Sequence, residues 1–479
     1  MSRVRIAAVL VFIISLTIAV LVLTDAVPEL RGPAPSTGVW HWPYMLRPVV
    51  RWLPAVVVSI ALLVVGVWWV ANRPHLFWPV LVVAGLSLGL QLGILYADQP
   101  NIGAALVDRT LSKDTNGYAA AAGEIDDLGG VLRTYPAFMA ASDNEHVRTH
   151  PPGLVTGYWL ADRMLEATPR LTGRLAAPVR LWRCTDLWVL SRPLSAAAGL
   201  LTGSLWLVVS AALTPVAAYF VARRLFRGAA IALAAVLAAI IPALLVFSPT
   251  PDQLYAFLSL ISLWFLLKGV SGSQWGWLAG AGITLSAMTF MSIGNVAWAG
   301  LLGAFLIISA WRQGWSTRQW AAGLGAFGLG MVSLWLIYWL GWGVSPWAVI
   351  ETGLQQHYQL VTSQRDYWTW VGYNPLDFLL FTGVAIVVGW GGLTAAAVVR
   401  RGWRRSEAGL LAILLATFLL ALMLSGSTRG EVGRLWLVFM PLSAVLAGGG
   451  WSAAAGQDHS VHLPVWGRPL SNSIGRMLR

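Results

Sequence analysis

The sequence predicts an all-α protein: a polytopic bundle of transmembrane helices with one large loop held outside the bilayer. Three observations predict it. Of 479 residues, 57% are hydrophobic and 11% charged, whereas soluble globular domains carry about 25% charged residues. Mean hydropathy is +0.68. Apolar runs of the roughly 20 residues needed to cross a hydrocarbon core recur along the chain, about a dozen of them.

The first run, 6–23, follows Arg3 and Arg5 and is read as a retained helix, because it lacks a small-residue cleavage site and further spans follow. With runs at 53–71 and 77–96 it makes an N-terminal unit of three helices, 1–96. Residues 97–193 are the longest polar interval and form the large loop. Runs at 194–222, 229–247, 253–269, 275–291, 294–311, 320–342, 376–399, 407–425 and 435–452 build the remaining bundle, 194–452, with outer loops at 343–375 and 426–434. The last stretch, 453–479, is a tail too short to bury a core.

Orientation follows from the Lys/Arg bias of short loops. Arg223, Arg224 and Arg227, Lys268, Arg312 and Arg318, and Arg400, Arg401, Arg404 and Arg405 share one side if the N-terminus is cytoplasmic. Both termini are then cytoplasmic, in agreement with Arg468, Arg476 and Arg479, and the expected location is the plasma membrane. Every acidic residue except Glu407 and Asp458 then falls in or beside the outer segments 24–52, 97–193, 248–252, 343–375 and 426–434. Acids hardly affect topology, so this places the ionisable chemistry outside. Mid-span charge is almost absent, which argues against an ion-coupled transporter, whose pathway needs it.

The net charge of +12 lies in arginine clusters flanking spans, where anionic headgroups and topology account for it. No nucleic-acid partner is expected. A single cysteine, Cys184, excludes an intrachain disulfide, a CxxC metal site and a thiol redox pair.

Within 113–132, KDTNGYAAAAGEIDDLGGVL, Tyr118, Ala121, Ala122 and Ile125 recur at helical spacing after Asp114. Asp114 is therefore either a helix N-cap or a carboxylate free for chemistry. In RTHPPG, Pro151 and Pro152 forbid a helix through the turn, and Gly153 permits close backbone approach. Leu154, Tyr158, Leu160, Ala161 and Leu165 then form an apolar stripe suited to a juxtamembrane helix lying in the interface. His150 at this turn is either structural or a ligand contact. Asp143, Glu145 and His146 are weak candidate metal ligands, with a spacing that matches no defined site and equally suits a solvated loop.

KDTNGYAAAA, RTHPPG, SPTPDQLYAFLSLISLWFLLKG (248–269), YNPLDFLLFTG (373–383) and RGEVGRLWLVFMP (429–441) occur in the order seen in the GT-C superfamily of polytopic glycosyltransferases, and the chain resembles its protein O-mannosyltransferase and aminoarabinose transferase branch. Two features depart from that pattern: the Asp loop follows the third helix instead of the first, and Thr115 stands where many members carry a second acid.

The resemblance implies transfer of a sugar from a polyprenyl-phosphate donor to a hydroxyl of an envelope glycolipid, polysaccharide or protein outside the membrane, with inversion. Asp114 is then the base, and Tyr118, beginning the helix behind it, belongs to the substrate site. The leaving phosphate needs fixed positive charge, for which Arg434 and Arg429 are candidates, with Glu431 between them; headgroup anchoring is the alternative reading. His150 and His357 are further substrate candidates, and a divalent cation, Mg or Mn, is an open cofactor. Arg365 and Asp366 lie beside His357 in an outer loop whose Tyr and Trp residues suit sugar stacking or an interfacial aromatic belt. A lipid-linked saccharide flippase or a non-catalytic envelope-assembly protein would share the topology without needing Asp114.

Overall fold

The computed structural model describes residues 3–33 and 40–456. Asp458, Arg468, Arg476 and Arg479 lie outside the described residues. The described chain is helical, with no strand.

The N-terminal unit is α1 (Arg3–Leu23), α2 (Leu53–Asn72) and α3 (Trp78–Asp98). The loop that follows is itself helical: α4 (Ile102–Leu111), α5 (Tyr118–Ala122), α6 (Leu128–Arg133), α7 (Tyr135–Ala141), α8 (Glu145–Thr149), α9 (Gly153–Glu166), α10 (Pro169–Trp182) and α11 (Leu187–Ser191). The bundle continues with α12 (Leu194–Leu225), α13 (Ala229–Ala239), α14 (Pro242–Val246), α15 (Pro251–Gly272), α16 (Trp275–Met291), α17 (Val296–Arg312) and α18 (Thr317–Trp342). It closes with α19 (Pro346–Leu360), α20 (Tyr367–Thr382), α21 (Val384–Val399), α22 (Glu407–Ser425), α23 (Val432–Leu435) and α24 (Met440–Ala454).

Among the described residues, eight helices are long and apolar enough to cross a membrane, or up to nine if α20 and α21, bent by 108° at their junction, count as one span. The expected dozen is not reached, because four hydropathy runs hide breaks or shorter helices. The run 229–247 splits before Pro242 into α13 and α14, and 376–399 breaks at Gly383, whose φ is 99°. The run 275–291 is the 17-residue α16, and 435–452 yields only the 15-residue α24. A run of apolar residues measures burial and says nothing of where the backbone turns. Helix α24 is buried along most of its length; it belongs to the protein interior.

Small residues bring helices together where lipid supplies no hydrophobic drive between them. At the α16–α18 contact, a Cβ on Gly282 would come within 2.2 Å of the Phe327 carbonyl, and one on Gly330 within 2.5 Å of that of Ala279.

The expected juxtamembrane helix is α9, but it does not lie free on a surface. Its buried face is Leu154, Val155, Tyr158, Asp162 and Leu165, and it packs on α12, where Gly199 and Gly203 receive Asp162 and Tyr158. Leu160, assigned to the apolar stripe, is 50% exposed, whereas the carboxylate residue Asp162 is only 8% exposed. The stripe is rotated because α12 offers two glycine notches for large side chains.

The expected outer segments interlock at one end. Trp42 donates its indole N–H to Asp377 at 3.2 Å, Arg148 bonds Gln356 at 2.6 Å, Tyr338 donates to the Leu132 carbonyl at 2.9 Å, and Arg365 pairs with Glu431 at 2.8 Å.

Candidate active site

Between these segments lies a cavity of about 300 Å³. One wall comes from the loop: Thr115, Tyr118, His146, Thr149 and His150. Asp252 and Tyr255 project from the start of α15, His357 from α19 and Arg434 from α23, while Ala297, Leu354, Leu422, Leu435 and Phe439 supply an apolar side.

Local sequence explains each placement. Asn144 caps α8 by accepting from the amides of His146 and Val147, which aims His146 inward. Helix α8 stops at Thr149, His150 is extended, and Pro152 and Gly153 start α9. Gly153 is required because a Cβ there would stand 2.4 Å from the Phe290 carbonyl. Tyr118, His146 and His150 form a cluster of rings with centroids 5.7 to 6.2 Å apart.

Both histidines are kept neutral. Burial pushes His146 down to about 4, helped by the Arg434 charge, and pushes His150 down to about 3, helped by His146 and Arg434. The His146 Nε2 is 3.2 Å from the Asp114 carbonyl, and the His150 Nδ1 is 2.8 Å from the His146 carbonyl. A ring nitrogen facing a carbonyl carries the proton, so the His150 Nε2 is a lone-pair acceptor. Burial also holds Tyr118 well above its usual range, with Tyr255 and Asp252 adding to the effect; it is a neutral phenol. His357, lowered by burial, has Nδ1 3.2 Å from the Thr362 hydroxyl.

Arg434 is the cavity's fixed cation. Its Nε is 3.5 Å from Asp252, and its Nη2 3.5 Å from Glu431, yet that Nε is buried without a hydrogen-bond partner. Asp252 and Glu431 hold its charge firmly on. The loop before α23 is shaped by two consecutive left-handed residues, Gly430 at φ 91° and Glu431 at φ 58°. A glutamate in that region is strained, and the surroundings over-determine it. Asn374 accepts from the Gly430 amide, and Arg365 bonds both the Arg429 carbonyl and the Glu431 carboxylate. The Arg365 guanidinium packs against two neighbouring indoles, Trp40 and Trp370, 5.2 and 5.7 Å from their ring centres. The Arg365 and Arg434 charges keep the Glu431 carboxyl below its usual range despite burial.

The expected site residues are thus brought together in part. Tyr118, His150, His357 and Arg434 line the cavity. Asp114 is exposed in the turn before α5, adjacent to lining residue Thr115. It is not the N-cap of α5; Gly117, at φ 71°, occupies that position, because the chain must reverse beside Asn144. Glu431 supports Arg434 from behind. Arg429, expected at the phosphate, is engaged by the carbonyls of Thr362, Arg365 and Gly426, and so braces the loop. Asp366 caps α20 through the Thr369 amide.

The proposed metal ligands separate: Asp143 is exposed and paired with Lys113, Glu145 is exposed, and His146 enters the cavity. Among the described residues no group of three His, Cys, Asp or Glu side chains is placed to hold a metal ion, and the cavity carboxylate, Asp252, is taken by Arg434. These residues do not fit a divalent cation.

Asp252 and Tyr255 escaped sequence reasoning. The signal was present in SPTPDQLY: an acid at the first turn of a span, with an aromatic three residues on, on the same helical face. Thr250 and Gln253 form the capping box that starts the helix there.

Residues 198–339, running from α12 into α18 and contributing Asp252 and Tyr255, match the family model for dolichyl-phosphate-mannose-protein mannosyltransferase. No curated protein matches the chain. The all-helical architecture, the apolar spans and this match agree: through its central segment the chain is similar to the dolichyl-phosphate-mannose-protein mannosyltransferases, a family of GT-C membrane glycosyltransferases, and this likeness supports a GT-C type enzyme.

Proposed function

We propose that the cavity transfers a sugar from a polyprenyl-phosphate donor to a hydroxyl of an envelope glycan, lipid or protein on the outer face of the plasma membrane. The observation that carries this reading is Arg434, a buried guanidinium whose Nε has no hydrogen-bond partner. A phosphate is the group it suits, since arginine binds phosphate oxygens through parallel N–H donors. The apolar side of the cavity suits an isoprenoid chain, and the neutral rings of Tyr118, His146 and His150 suit a sugar.

In the proposed reaction the acceptor hydroxyl attacks the anomeric carbon as the bond from that carbon to the phosphate oxygen breaks. Polyprenyl phosphate leaves against Arg434, the acceptor's proton passes to the Asp114 carboxylate, and configuration inverts. One carboxylate suffices because phosphate leaves as a stable anion, unlike the leaving group of a glycosidase, which needs an acid as well. Positive charge already fixed where charge develops lowers the barrier without reorganisation.

The test is sugar transfer by purified protein in lipid, offered labelled polyprenyl-phosphate hexoses and pentoses with an envelope lipid extract, alongside folded Asp114→Asn. Product from the wild type, lost in the variant with donor binding retained, supports the transferase and its base. Equal transfer by both removes Asp114 from the mechanism. Donor lipid crossing the bilayer with no transfer would instead make the protein a flippase.

A further inference from the structure

Arg434 is not free when the cavity is empty, since Asp252 stands 3.5 Å from its Nε. Asp252 lines the same cavity, so a phosphate bound to Arg434 meets a carboxylate at the same guanidinium. Two anions there repel, and in a buried site the repulsion is poorly screened. The carboxylate must move, and it needs a partner when it does. Tyr255 is one helical turn along on the same face, with its side chain in the cavity wall. The residue is 4% exposed, and its hydroxyl has no hydrogen-bond partner. A buried phenol hydroxyl nearly always has one.

We propose that Asp252 is a built-in competitor of the donor phosphate at Arg434: phosphate binding displaces its carboxylate, which then accepts the hydrogen bond of the Tyr255 hydroxyl. The inference rests on the reading of Arg434 as the phosphate ligand. Asp252 keeps Arg434 compensated while the site is empty, and Tyr255 lowers the cost of releasing it. The exchange moves no proton and breaks no covalent bond. The carboxylate penalises every anion that reaches Arg434, so the site fills at low concentration only with one that brings further binding energy, such as a phosphate carrying a lipid chain.

The experiment is binding of labelled polyprenyl phosphate to the full chain in lipid nanodiscs, with inorganic phosphate as competitor. Asp252→Asn, which removes the competing charge and keeps the shape, is expected to bind polyprenyl phosphate and inorganic phosphate each about ten-fold more tightly than the wild type. Tyr255→Phe, which keeps the ring, is expected to bind about ten-fold more weakly, the cost of one hydrogen bond to a charged group. In the double variant the Tyr255→Phe effect should vanish, because its partner no longer carries charge. Unchanged or weaker binding by Asp252→Asn overturns the proposal. So does wild-type binding by Tyr255→Phe, a variant that retains its packing should Asp252→Asn fail to fold. Arg434→Gln separates the two levels: if it binds as wild type the phosphate reading itself fails, whereas if it loses binding while Asp252→Asn is unchanged, only the competition fails.

Discussion

The Arg365 guanidinium lies 2.8 Å from the Glu431 carboxylate, whereas Arg434 is 3.5 Å from the same group. Glu431 thus belongs first to Arg365, behind the cavity, and only loosely restrains Arg434 in front of it. Cation–π contacts of Arg365 with the adjacent indoles of Trp40 and Trp370 add to that arrangement.

Arg365→Met should therefore destabilise the protein by about 3 kcal/mol, since it leaves a largely buried carboxylate without its nearest cation. Thermal melting in detergent checks this. Glu431→Gln in the same background should recover part of the loss, and no recovery would show that the indole contacts, not the ion pair, were the source.

Arg434→Lys keeps the charge but loses the fork geometry, and should cut kcat by about 100-fold, the scale for removing one donor at a developing charge. Donor titrations at saturating acceptor would show it. A change confined to KM would mean that Arg434 binds ground and transition states equally.

The two cavity histidines make stability depend on pH. Folded, they lie at about 4 and about 3, below an unfolded value of about 6.5. Between the folded and unfolded values the unfolded chain binds more protons, so stability falls as pH drops below about 6.5, by at most about 1.4 kcal/mol per pH unit for each histidine. Melting temperature measured from pH 7.5 to 4.5 should decline. His146→Gln should flatten the slope; an unchanged slope would assign it to other groups.

Asp162 acts in the opposite direction. Burial, with Glu166 adding and Arg163 opposing, pushes it up to about 7, above its unfolded value. The folded chain binds the extra proton, so this group's contribution is fully present at low pH and fades as pH rises through the window from about 4 to 7. Asp162→Asn should melt higher than wild type at pH 8 and close to it at pH 4. Equal melting at pH 8 would show that the carboxylate is hydrated.

Gly153→Ala should cost about 1–3 kcal/mol, the range for overpacking, because the added Cβ would meet the Phe290 carbonyl at 2.4 Å. Relief of the clash turns the start of α9 and carries His150 with it, so transfer should fall beyond the stability loss. Gly157→Ala, where a Cβ meets nothing within 4 Å, is the control on the same helix.

The membrane class, most span positions, the HPPG turn and four cavity residues, Tyr118, His150, His357 and Arg434, were legible in the chain. Hydrophobicity and proline and glycine geometry act locally, over a few neighbouring residues, and a sequence displays local constraints directly. What needed the folded protein was which segments meet and who pairs with whom. Arg429 and Arg434 look alike five residues apart, yet three backbone carbonyls of two outer loops engage the first and leave the second facing a cavity. Asp252 looked like the edge of a span until Arg434, distant in sequence, was found beside it. The α13–α14 and α20–α21 breaks stand at Pro242 and Gly383, a local signal that hydropathy alone does not display. Charge pairing and cavity shape are sums over contacts between segments far apart in the chain, and only the fold sets those contacts.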